Sequence, residues 1–121
     1  MEIRPFKPFG SVSALTLGGG GLGQVWGETT REEAVATARL ALEQGITHFD
    51  MAPMYGRGEA ETVIGEAFKG MDTSDFRFTT KYRLGHVEHE NTYDKLNESL
   101  TRSLQTTVSY THLTLPTTHG V

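Results

Sequence analysis

The 121-residue sequence contains no cysteine. That excludes a disulfide scaffold and every zinc or iron–sulfur site built on thiolates. No apolar run approaches the roughly 20 residues that a membrane span requires, so no membrane association is expected. The opening MEIRPFKPFG lacks the apolar core of a secretory signal. Positive charge is in deficit: eleven Lys and Arg face fifteen Asp and Glu, a formal net charge of -4. That balance gives no electrostatic footprint for nucleic acid. What remains has one domain's length, with 36% hydrophobic and 21% charged residues. It reads as globular rather than disordered, with the cytoplasm as its expected compartment.

Charge and glycine are unevenly spread. Seven of the fourteen glycines fall between Gly10 and Gly27. No charged side chain follows Arg102, and six threonines crowd Thr106 to Thr118.

Between those ends the pattern is regular. Val12 to Leu17 is a short apolar, partly β-branched run ending in glycines, and it predicts one buried strand. Thr30-Arg31-Glu32-Glu33 has the T-x-x-E form of a capping box and predicts a helix start. Ala34, Val35, Ala38, Ala41 and Leu42 follow at helical spacing, with Gly45 as the stop. Ile46 to Phe49 predicts the second strand, closing on Asp50. Ala60, Val63, Ile64, Ala67 and Phe68 mark a second helix ended by Gly70. Residues 76–81 (FRFTTK) predict a third strand, and Tyr93, Leu96, Leu100 and Leu104 a third helix. The order β-α-β-α-β-α implies parallel strands, and three such units complete neither a doubly wound sheet nor a barrel.

In parallel α/β folds, ligands bind at the carboxyl ends of strands. That rule places the glycine loop 18–23, Asp50 with Tyr55, and Lys81 on one rim. A tyrosine near pKa 10 is a poor proton donor at neutrality, but a neighbouring ammonium favours the phenolate and a carboxylate can hold the ammonium. Such a triad could protonate a carbonyl oxygen as a hydride arrives from a nicotinamide. On spacing alone, the same residues equally describe a rim ion pair beside a packed tyrosine.

Residues 15–27 (LTLGGGGLGQVWG), 45–68 (GITHFDMAPMYGRGEAETVIGEAF) and 77–81 (RFTTK) resemble the aldo-keto reductase family. The most specific stretch is D-x-A-x-x-Y-G-x-G-E-x-E, from Asp50 to Glu61. The resemblance implies the first three βα units of an incomplete (β/α)8 TIM barrel over residues 1–106. It further implies NADP(H)-dependent reduction of a small-molecule carbonyl substrate, with Tyr55 as general acid, Lys81 tuning it and Asp50 pairing Lys81. Gly20, Gly21 and Asp50 are the implied cofactor contacts. Trp26 is a candidate substrate contact together with Tyr55, and equally a packing residue. The family's catalytic histidine has no match. Two other readings stay open: a regulatory barrel that binds partners, like potassium-channel beta subunits, and a short non-enzymatic α/β protein.

Three further motifs carry bland readings. Gly18-x-Gly20-x-x-Gly23 has the dinucleotide-fingerprint form, but that fingerprint needs a helix to open at once, and this one is expected near Thr30. His86, Glu88, His89 and Glu90 read as a solvated connection rather than a metal site. Residues 108–117 (VSYTHLTLPT) would make a plausible short strand. They also read as one translation frame of a transposon-based sequencing-library adapter, whose constant continuation would give Val and a stop. Residues 107–121 are therefore expected to be a non-native tail, and His112 is not taken as the missing histidine.

Overall fold

The structure is a computed structural model that describes residues 1–82, 88–107 and the backbone of 113–114. Strand β1 (Ile3–Pro5) pairs antiparallel with β2 (Ser11–Ser13) in a hairpin. Strand β3 (Thr16–Gly18) follows, and a long glycine loop leads into helix α1 (Arg31–Glu43). Then come β4 (His48–Asp50), α2 (Glu59–Ala67), β5 (Arg77–Thr79), a 3-10 turn (His89–Asn91), α3 (Thr92–Thr107) and β6 (Leu113–Thr114). Strands β3, β4, β5 and β6 lie side by side in that order, every pair parallel. This is the arrangement expected of consecutive βα units and of a partial barrel that does not close. Among the described residues no helix is long and apolar enough to cross a membrane.

Local chemistry sets the helix ends. Thr30 accepts a hydrogen bond from the Glu33 N–H, and the Glu33 carboxylate accepts one from the Thr30 N–H, each at 3.1 Å. That reciprocal capping box satisfies two otherwise orphaned donors. Gly45 at φ +94 takes the chain out of α1 in the left-handed region.

The strands alternate. Leu17, Phe49 and Phe78 point towards α1 and α2 and join a core that includes Ala34, Val35, Ala38, Val63 and Ile64. Phe49 stacks on Phe78 with ring centroids 5.6 Å apart and meets Phe68 edge-on at 5.0 Å. The opposite face of the same strands carries Thr16, His48, Asp50 and Thr79. The core thus sits between sheet and helices, and the inner barrel face is polar.

Two expectations need correction. The run Val12 to Leu17 is two strands, not one: β2 turns away at Ala14–Leu15 to pair with β1, and β3 begins at Thr16. At the break the Ser13 hydroxyl donates to the Leu15 carbonyl at 2.6 Å, and Ser13 exchanges hydrogen bonds with Thr47 at 2.9 and 3.0 Å, which hold the chain out of a continuous strand. In α3, Tyr93 is exposed, while Ser103 and Thr107 are buried. Small residues face α2 there because Gly65 of α2 lies against the Thr106 backbone, too close for any side chain at 65. His86, His112 and most of the 107–121 segment lie outside the described residues.

Candidate active site

The register brings the candidate residues together. Gly18, Asp50 and Thr79 lie opposite one another at the carboxyl ends of β3, β4 and β5. Lys81 lies two residues past Thr79, so strand alternation returns its side chain to the same inner face. Its ammonium donates to Asp50 Oδ1 at 2.8 Å and to the Met51 carbonyl at 3.0 Å. The same nitrogen is 4.8 Å from the centroid of the Tyr55 ring. The side chains of Lys81 and Asp50 remain 36% and 38% exposed. Partial burial works to lower the Lys81 pKa, but the hydrogen bonds to Asp50 and Tyr55 and their charges outweigh it. The ammonium is held above its ordinary value of 10.5 and is fully charged at neutrality.

Tyr55 stands on a turn braced by the glycine loop. Its N–H donates to the Ala52 carbonyl at 3.1 Å, and its own carbonyl accepts from Ala60 at 3.2 Å. Gly56 follows at φ +67, a conformation that strongly favours glycine. Across from it, a Cβ on Gly23 would come within 2.5 Å of the Tyr55 carbonyl group. The two backbones touch because neither residue has a side chain.

The other predicted site residues lie in the first loop. Gly20 is buried and Gly21 exposed. A Cβ on Gly20 would meet Trp26 Nε1 at 2.6 Å, so the indole covers that glycine while remaining 82% exposed itself. Beside Gly21 the nearest atom to such a Cβ is Trp26 Cδ1 at 3.7 Å, which leaves its backbone open to a ligand. The α1 helix opens only at Arg31, so the Gly18, Gly20 and Gly23 spacing does not place phosphates on a helix N-terminus. Glu88, His89 and Glu90 are exposed, the last two in the 3-10 turn before α3. A cleft of about 670 Å³ is lined by Gly23, Thr30, Arg31, Gly56 and Arg57. Asp50, Tyr55 and Lys81 do not line it, so it is not where the cluster would act.

Two features escaped the sequence reading. One is His48, which bridges three strands, with Nδ1 3.0 Å from the Thr16 hydroxyl and Nε2 2.8 Å from the Thr79 hydroxyl. Period-two alternation could have found the row, since all three residues share the inner face. Burial lowers the His48 pKa below 6.5, against a smaller opposing pull from Asp50. The fold therefore favours neutral imidazole, while the unfolded chain takes up a proton below 6.5. Stability is accordingly lost as pH falls through 6.5 towards the depressed folded value. We expect urea midpoints to fall between about pH 7 and about pH 5.5, and His48→Gln to flatten that slope. An equally steep slope in His48→Gln would refute the assignment. The other feature is a buried hydrogen bond between Glu61 and Thr80, at 2.7 Å.

A parallel βα sheet with an Asp–Lys–Tyr cluster at the carboxyl ends of its strands defines an open segment of a βα barrel with a polar cluster on its rim. The family model described as Aldo/keto reductase family matches residues 14–114, and the chain belongs to that family. L-galactose dehydrogenase of Arabidopsis thaliana is 35% identical over 108 residues, covering 87% of this chain and 34% of that protein. A thermostable aldo-keto reductase crystallised with the inhibitor epalrestat superposes with a TM-score of 0.73 at 30% identity, covering 89% of this chain and 39% of that one. An aldo-keto reductase from Klebsiella pneumoniae in complex with NADPH gives a TM-score of 0.66 at 30% identity, covering 87% and 36%. The chain thus spans about a third of the length of L-galactose dehydrogenase.

Proposed function

We propose that these residues form the proton-donating side of an NADP-dependent oxidoreductase that reduces aldehyde or ketone carbonyls to alcohols. The observation that carries this reading is the Lys81 ammonium held between the Asp50 carboxylate, at 2.8 Å, and the Tyr55 ring. An exposed ion pair contributes only about 0–1 kcal/mol, so stability alone gives little reason to build one against a tyrosine. Proton transfer gives a reason. The Tyr55 hydroxyl donates its proton to the carbonyl oxygen, and the adjacent ammonium stabilises the negative charge left on the phenolic oxygen. Asp50 and the Met51 carbonyl fix the ammonium in place.

The residues present fit the nicotinamide end of NADP(H). Gly21 leaves backbone open beside the rim, and Asp50 keeps a carboxylate oxygen free of the Lys81 contact to accept from a ribose hydroxyl. The cofactor, when bound, supplies the hydride. Trp26, exposed above the loop, is the proposed wall of the substrate site together with Tyr55.

The test is NADPH consumption by a complete barrel in which residues 1–106 replace the matching part of the Klebsiella pneumoniae relative. Consumption with small aldehydes is expected. A folded barrel that binds NADPH but consumes none overturns the reading.

Residues 1–106 are proposed as the first three βα units of the whole barrel, and 107–121 as foreign to it. Strand β6 occupies the fourth position, with Leu113 opposite Phe78, and the family match reaches residue 114. An open strand edge accepts extended chain through backbone bonds, with little selection for sequence. Resequencing the gene without transposon adapters should replace the codons for residues 108–117; their return would make the tail native.

A further inference from the structure

We infer that Glu61 is a positioning residue for Lys81, acting through the hydrogen bond that its carboxylate accepts from Thr80; this rests on the proposed part of Lys81 in the reaction. Glu61 is 3% exposed and Thr80 1%. The Thr80 hydroxyl donates to Glu61 Oε1 at 2.7 Å. Burying a carboxylate is unfavourable even when it is hydrogen-bonded, and an apolar pair of similar volume is often as stable or more so. Val63 and Ile64 on the same helix fill such space without polar atoms. Stability therefore gives no reason for a carboxylate here, whereas geometry does.

Strand β5 ends at Thr79, whose carbonyl accepts from the Met51 N–H at 2.7 Å. Among the described residues no later backbone bond ties this chain to β4. Thr80 points outward to α2 while Lys81 points inward to Asp50, so whatever fixes Thr80 also fixes the direction in which Lys81 leaves the strand. The Thr80–Glu61 bond does this from the buried side. Helix α2 thereby holds both ends of the cluster: it begins just after the Tyr55 turn and anchors the residue before Lys81.

The test uses the full chain and reads the lysine itself. The rate of reductive methylation of Lys81, mapped by mass spectrometry with exposed Lys69 as internal reference, reports its release from Asp50. Thr80→Val and Glu61→Met are each expected to raise that rate several-fold, and Thr80→Ser to restore it. Should either single variant fail to fold, the apolar double variant, Glu61→Met with Thr80→Val, removes the unpaired buried group. It is expected to melt cooperatively with Lys81 still released. Folded variants whose Lys81 reacts at the parent rate overturn the inference. Because the readout is not activity, failure of carbonyl reduction would leave this result standing, and an unmoved Lys81 would leave the reduction untouched.

Discussion

Tyr55→Phe is expected to lower kcat/KM for carbonyl reduction by about 100- to 10,000-fold in a complete barrel carrying these residues, the usual size of a lost general acid. The ring stays and only the hydroxyl goes. Its packing beside the Lys81 ammonium is retained; the hydroxyl's own hydrogen bond with that ammonium is lost, but Asp50 and the Met51 carbonyl still hold Lys81. NADPH affinity should therefore change by less than about twofold, and the thermal midpoint should hardly move. A variant retaining more than about a tenth of the parent kcat/KM would show that the proton comes from elsewhere. The packed-tyrosine reading would then regain the ground.

Gly56→Ala should produce the largest loss of stability outside the core, about 3–5 kcal/mol. Two penalties add. The residue sits at φ +67, and a Cβ there would collide with the Gly23 carbonyl oxygen and come within 2.9 Å of Glu59 Cβ. The Gly23 backbone has no rotamer to give, and the Glu59 Cβ is fixed to its own helix backbone. Gly58, three residues past Tyr55, is the control: it lies at φ +93, and a Cβ at that position would have nothing within 4 Å. Gly58→Ala bears only the cost of the left-handed backbone, about 1–2 kcal/mol. Urea midpoints and slopes of the two variants decide the matter. Equal losses would mean that contact between the glycine loop and the Tyr55 turn contributes nothing.

The βα order was legible because each helix announces itself. The Thr30 capping box, the Ala34–Val35–Ala38 stripe and the Ala60–Val63–Ile64 stripe are local signals that tertiary contacts only reinforce. The break between β2 and β3 was not legible, because the apolar run is continuous across it and the partner of β2 lies in an unremarkable proline-containing stretch. The burial of Ser103 and Thr107 in place of Tyr93 was hidden for a related reason. Periodicity locates a face of a helix, but the close approach at Gly65 decides which size of side chain that face can hold.

The sequence by itself determined the types and order of the residues in the candidate site. It placed Asp50, Tyr55 and Lys81 on one rim, because strand alternation and parallel order leave few other positions for them. The tertiary structure alone decided the distances: 2.8 Å from Lys81 to Asp50, the row through His48, and the buried Glu61–Thr80 bond. Those contacts join residues 19 to 32 positions apart. Which side chains meet at that separation depends on strand register and helix packing, and neither is encoded within a short window of chain.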